Sequence, residues 1–355
     1  MRSSSSLGTA PASVTVAPAK QPRAFRLPLL ESQEATLFVF LVILIVGMSI
    51  INPTFLDPQN VKDILVNSFE VAVIAVGMTM VIVSGNIDIS VGSILGLCAV
   101  LAGRAAIDGI PLALNLLKPL GISESALMLV LIAFVVLFAM VAGLLMGMLN
   151  GFLVAFARIP AIIVTLGTLS LWRGVNILYT RGEWVQNMPD EFHFAQARFL
   201  EVPVPVWLMV ITVAVAAYWM SNSVVGREIY AVGGNSQAAR LAGVNVRRMT
   251  FLVFAINGLL SGLAGYIYAS RLSFVQSNAG SGLELVVITA CVIGGVSILG
   301  GSGSILGAFL GTLLLGVIGT GLVFMKVSAY WVPSLQGSLI LLAVLLDVWR
   351  RRRSE

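Results

Sequence analysis

The length of its apolar runs constrains this chain more than any other feature. Ten stretches, at 35–52, 64–84, 91–107, 125–156, 160–180, 205–222, 250–270, 282–299, 304–325 and 329–348, are nearly free of charge. A helix rises about 1.5 Å per residue, so a run of about 20 residues matches the ~30 Å hydrocarbon core of a bilayer. Within that core every backbone polar group needs a partner inside its own segment, and a helix supplies one. A membrane barrel would need strictly alternating apolar and polar residues, which these runs lack. Composition agrees: 58% of the residues are hydrophobic and 10% are charged, where a soluble domain carries roughly 25% charged. The expectation is an all-α integral membrane protein of about ten transmembrane helices.

Around those runs, residues 1–34 are rich in Ser, Ala and Pro and carry Lys20, Arg23 and Arg26. They read as a mobile cytoplasmic tail. A cleaved signal peptide is the competing reading, but no small-residue cleavage site follows the first run. Residues 35–348 form the transmembrane domain, and 349–355 a basic tail. The fourth run is too long for a simple crossing and contains Gly143, Gly147 and Asn150-Gly151. It is either a tilted helix or one broken near Asn150. Placing the N-terminus inside puts most Lys and Arg, including Arg158, Arg227, Arg240, Arg247, Arg248 and the run 350–353, on the cytoplasmic side. A basic C-terminus then requires an even number of crossings. The net charge of +5 is explained by this topology and implies no nucleic-acid partner.

Most classes of chemistry are excluded. Cys98 and Cys291 are far apart within apolar runs and suggest neither a disulfide framework nor a metal site. One histidine, His193, cannot build a His-based centre. There is no catalytic triad, and no Gly-x-x-x-x-Gly-Lys-Ser/Thr loop. Any ATP must be bound by a partner subunit, and the chain itself calls for no cofactor.

Charges within membrane segments are costly and mark candidate sites. Glu70, Asp88, Arg173 and Glu284 qualify. Asp88 sits in a polar, glycine-bearing break, Ser84-Gly85-Asn86-Ile87-Asp88-Ile89-Ser90. Two readings stand: a gate or pathway wall, or an ordinary cytoplasmic turn in which Asp88 and Ser90 cap the next helix. Glu70 and Glu284 suit either a pathway or an interfacial helix start, where carboxylates favour the dipole. Arg173 is deeper and calls for a membrane carboxylate as partner. With Asn86, Ser90, Asn150, Thr165 and Thr168 these residues make up the candidate pathway or gate. A short internal match, Gly92-Ser-Ile-Leu-Gly96 and Gly303-Ser-Ile-Leu-Gly307, follows Glu70 and Glu284 by about 20 residues each time, and suggests a repeat.

The segment 223–249 is the most informative polar stretch. It reads as a strand-like entry, a turn at Gly233-Gly234, a short helix from Ser236 to Ala242 and a stop at Gly243. A compact helix on a cytoplasmic loop suits docking of a soluble partner.

These motifs resemble the ribose/xylose-type sugar permeases of ABC transporters. The stretch Gly77 to Ser93 carries the resemblance, with Leu149-Asn150-Gly151, Ile163 to Thr168, the segment 226–245, Asn278 to Leu285 and Val292 to Ser304. It covers roughly residues 50 to 350. The resemblance implies the fold of vitamin-B12-type (type II) importers in a bacterial inner membrane, with both termini cytoplasmic. It also implies a second permease, two cytosolic ATPase subunits and a periplasmic sugar-binding protein. Gly226, Arg227, Gly233, Gly234, Asn235, Ala238, Ala239, Arg240 and Gly243 fall in the family's coupling loop, which docks on the ATPase. Ser302, Asn86, Val286 and Val287 depart from the usual pattern, so ribose, xylose, rhamnose and sugar-like autoinducers all remain open substrates. An ion-coupled carrier using Glu70, Asp88 and Glu284 is the rival; a membrane enzyme lacks its catalytic groups.

Overall fold

The computed structural model describes residues 33–117, 123–272, 274–328 and five positions between 331 and 341. The tails at 1–32 and 342–355, and most of the run 329–348, lie outside the described residues. Among the described residues the regular structure is helical, apart from one two-residue hairpin, Arg198–Phe199 with Val202–Pro203, and an isolated antiparallel bridge between Val185 and Val275.

The helices are α1 (Gln33–Ile51), α2 (Pro58–Asn67), α3 (Phe69–Val83), α4 (Val91–Arg104), α5 (Ile110–Leu117), α6 (Glu124–Ala155), α7 (Ala161–Thr180), α8 (Val204–Asn222), α9 (Val224–Gly234), α10 (Ser236–Leu241), α11 (Val246–Leu272), α12 (Leu283–Ile293) and α13 (Ile305–Phe324). Seven described helical stretches are long and apolar enough to cross a membrane, or eight if α2 and α3, bent by 41°, form one span. The bend falls at Ser68, whose hydroxyl donates to the Ile64 carbonyl at 2.8 Å, a back-bond that bends helices.

One alternative left open by the sequence is settled and three expectations are revised. The run 125–156 is one unbroken helix of 32 residues. The run 282–299 yields only the 11 residues of α12, about 16 Å of helix, too short to cross alone. It stops because Gly294 packs against the Gly307 carbonyl and Gly295 has φ +89°. The third run continues past 107 through a π-helical turn, Ala105–Gly109, into α5. The entry to segment 223–249 is the helix α9 rather than a strand.

Packing centres on α11. Met249, Val253, Phe254 and Tyr266 are buried along it, while α1 turns Phe38, Phe40, Ile43 and Ile50 outward, as a lipid-facing helix should. Gly143 and Gly147 of α6 meet Gly258 and Gly262 of α11: a Cβ on any of the four would strike the opposite backbone. This is the small-xxx-small contact by which membrane helices gain dispersion energy at close range, and it explains the presence of these glycines within an unbroken α6. The helices pass to and fro, gathering the loops into two ends. One end holds the starts of α3 and α12 and the end of α11. The other holds the break 84–90, the turn 156–160, the segment 223–245 and the break 294–304.

Candidate functional site

At the first end, two ion pairs join different helices. Arg271, in the last turn of α11, reaches Glu70 at the start of α3 (Nη2 to Oε1, 3.0 Å) and donates from Nη1 to Asn67 Oδ1 at 2.6 Å. Arg173 of α7 lies 3.7 Å from Glu284 Oε1, and Gly282 N donates to the same oxygen at 3.3 Å. Arg173 thus has the membrane carboxylate that its depth called for. Glu284 also abuts Gly92 at the start of α4, where a Cβ would collide with its other oxygen. Beside the first pair lies a cavity of about 480 Å³, lined by the polar residues Asn67, Glu70, Tyr268, Arg271 and Ser281 and by apolar residues that include Val71, Leu95 and Leu283.

Deeper in the molecule, in the break that comes in from the opposite end to the start of α4, Asp88 is fully buried. Its Oδ1 accepts from Ser90 N at 3.0 Å and from Ser90 Oγ at 2.6 Å, and its Oδ2 accepts from Asn257 Nδ2 at 3.0 Å. Ser90 Oγ in turn accepts from Asn150 Nδ2 at 2.8 Å. The Asp88 side chain therefore accepts from three donors beside the N-terminal end of α4. Asn257 lies 257 − 246 = 11 residues into α11, about 16 Å along it, so the break enters the membrane-spanning layer. Asp88 does shape the turn before α4, but it also ties that turn to α11 and, through Ser90, to α6.

The remaining pathway candidates are less central. Thr165 and Thr168 are buried and turn their hydroxyls to their own helix, onto Ala161 O at 2.9 Å and Val164 O at 3.1 Å. Asn86 is half-buried and donates to Ser84 Oγ at 3.1 Å. Asn257, Asn67 and Tyr268 were not singled out from the sequence. Asn257 was detectable as the sole amide in the run 250–270; Asn67 and Tyr268 gave no such signal.

The segment 223–245 folds into a helical corner. Ser223 Oγ accepts from Gly226 N at 2.9 Å, and Gly226 packs so closely on the Met220 carbonyl that a Cβ has no room. Asn235 caps α10, accepting from Gln237 N at 3.0 Å and Ala238 N at 2.9 Å. Gly243, at φ +89°, ends it. Ala239 is buried against its own chain, whereas Ala238, Arg240 and, at 91% exposure, Leu241 face outward, as does Arg227. Gly233 fits against the Val83 carbonyl, on which Gly301 N donates at 2.9 Å, and Gly300 approaches both Gly233 and Gly85. The corner thus rests on the bond that links the two membrane breaks. Tyr230 of α9 adds a bond from its hydroxyl to Gly303 O at 2.7 Å; burial, then the Glu34 carboxylate, raises the phenol above its ordinary pKa and keeps it a donor.

No group of His, Cys, Asp and Glu suited to a metal occurs among the described residues. The family described as "Branched-chain amino acid transport system / permease component" matches residues 60–344. The chain is 38% identical over 325 residues to the Autoinducer 2 import system permease protein LsrC of Enterobacter sp. (strain 638), covering 90% of this chain and 88% of the relative. It is 36% identical over 318 residues to the protein of that name in Photorhabdus luminescens, covering 89% and 90%. With that of Klebsiella pneumoniae subsp. pneumoniae the identity is 38% over 320 residues, covering 90% and 87%. No solved structure matches the chain.

Proposed function

We propose a substrate, an orientation and a docking surface for this chain, which belongs to the branched-chain-type transport permease family and is a multi-pass permease subunit of an ABC importer. In such importers ATP hydrolysis takes place in a separate subunit and a periplasmic binding protein delivers the solute. The solute here is a small, hydroxyl-rich, sugar-like molecule of the autoinducer-2 type. The observation that carries this reading is the cavity beside Glu70 and Arg271, where carboxylate, guanidinium, amide, phenol and hydroxyl groups share the lining with aliphatic groups. Sugars present both hydroxyls and apolar faces, so such a mixed lining suits them.

The end holding Glu70 faces the periplasm, and the end holding Asp88 the cytoplasm of a bacterial inner membrane, with both termini cytoplasmic. This orientation puts Arg158, Arg227, Arg240, Arg247 and Arg248 inside, in keeping with the bias of basic loops. A single permease domain over 35–348 pairs with a second permease and two ATPase subunits. Glu70, Asp88, Arg173 and Glu284 shape the pathway and its gate, and the segment 223–249 receives the ATPase. Leu241 is the best contact: a leucine 91% exposed on a six-residue helix is what a partner's groove would cover. Leu241→Glu is expected to lower co-purification of the ATPase severalfold while leaving membrane insertion intact. Unchanged recovery would place docking elsewhere. The transport reading itself is tested in proteoliposomes holding permease, ATPase and binding protein, with autoinducer-2 and ribose as solutes. Uptake by this chain without the ATPase would instead indicate the ion-coupled carrier.

A further inference from the structure

Arg173 and Arg271 each face a carboxylate. Arg158, Arg240 and Arg247 have no ion pair among the described residues, yet all three line one cavity of about 660 Å³. They come from three separate elements: the turn after α6, helix α10 and the first turn of α11. Among the described residues no Asp or Glu lines the cavity, and Ser84, Asn86 and Gln237 add neutral hydrogen-bonding groups. Arg158 is brought there by a backbone at φ +60°, a left-handed conformation that costs a non-glycine residue energy.

Like charges gathered in a concavity repel, and each guanidinium offers a planar fork of donors that matches phosphate oxygens. The positive-inside bias accounts for basic residues at this end of the chain, but not for their convergence from three elements around a space free of carboxylates. The volume exceeds what inorganic phosphate needs and falls within the range of small-ligand sites. We propose that this cavity is a binding site for a phosphate-bearing anion with a small organic body, held by Arg158, Arg240 and Arg247. The group comes either from a soluble phosphate ester or from a lipid headgroup.

Binding is measured independently of transport, so its failure would leave the importer reading untouched. The complete complex, in phosphatidylcholine nanodiscs with ADP saturating the ATPase subunits, is titrated with ribose 5-phosphate and with ribose. The ester is expected to bind, more weakly as salt rises, and ribose not to bind. Arg158→Gln, Arg240→Gln and Arg247→Gln are each expected to weaken the ester about tenfold, and Arg158→Gln, which lies outside the segment 223–249, is expected to remain inserted and bound to the ATPase. In nanodiscs containing phosphatidylglycerol, loss of ester binding together with a wild-type melting temperature above that of the variants identifies the lipid as the source. Unchanged ester binding there identifies the soluble source. Absence of any ester binding in phosphatidylcholine, as when acidic side chains of the ATPase fill the cavity, would overturn the proposal. So would binding unaffected by all three substitutions.

Discussion

Two regions with nearly the same local sequence restart a helix in different ways. Gly92-Ser93-Ile94-Leu95-Gly96 begins within α4, and Gly303-Ser304-Ile305-Leu306-Gly307 runs into α13. Each follows a break, and each break follows a helix whose second residue is a glutamate, Glu70 in α3 and Glu284 in α12. The first break is closed by side chains, with Asp88 bridging Ser90 and Asn257 in a fully buried network. The second is closed by backbone: Gly295, Gly300, Gly301 and Gly303 all have positive φ. There Ser304 caps α13, accepting from Gly307 N at 3.0 Å and donating to Glu34 at 2.7 Å. A buried polar network satisfies the orphaned groups at a helix break, and glycine conformational freedom lets the chain find partners in its own backbone. The difference teaches that a repeat can keep its geometry while exchanging the chemistry that stabilises it.

Removing Asp88 should break the comparison most severely. Asp88→Ala leaves the donors of Ser90 and Asn257 buried without an acceptor, a loss on the order of 4 kcal/mol. Thermal unfolding of the purified permease should register it as a large drop in melting temperature. Asp88→Asn is expected to be nearly as harmful, because one of its positions would then set an NH2 group against a donor from Ser90 or Asn257. A near-wild-type melting temperature for Asp88→Asn would show that the carboxylate charge is dispensable to the fold.

The paired glutamates sharpen the contrast. Glu70→Gln should cost roughly 2 kcal/mol, since Arg271 is mostly buried and loses a contact at 3.0 Å. Glu284→Gln should cost less than about 1 kcal/mol, because its pair is 3.7 Å apart and Arg173 is one-third exposed. Resistance to unfolding in graded detergent would rank them, and the reverse order would refute the comparison. The smallest effect belongs to Ser304→Ala, which removes a cap worth about 1 kcal/mol. It should also loosen α1, read as faster proteolysis near Glu34; unchanged cleavage would leave Ser304 as a cap alone.

Particular residues show how far the sequence could be read. The apolar runs located nine helical regions among the described residues, because burying backbone in lipid leaves few alternatives to a helix. The glycine pair 143 and 147 did not reveal whether α6 breaks, since the same residues serve a kink or a close contact. Only Gly258 and Gly262, more than 100 residues away, decide that question. In the segment 223–245 the short helix and its glycine stop were legible from local capping chemistry. The burial of Ala239 and the exposure of Leu241 were not, because which face of one helical turn meets the rest of the chain depends on distant neighbours.

By itself, then, the sequence determined that the chain is helical and embedded in a membrane, that it carries charges in those helices, and that it has no nucleotide loop of its own. These follow from composition, run length and motif, which are local quantities. Tertiary structure alone decided that Asp88 meets Asn257, that Arg271 and Arg173 claim different glutamates, and that Gly233 rests where the two breaks are joined. Each of these is a contact between segments far apart in the chain. Its energy depends on distances of a few tenths of an ångström, which packing sets and sequence spacing does not encode.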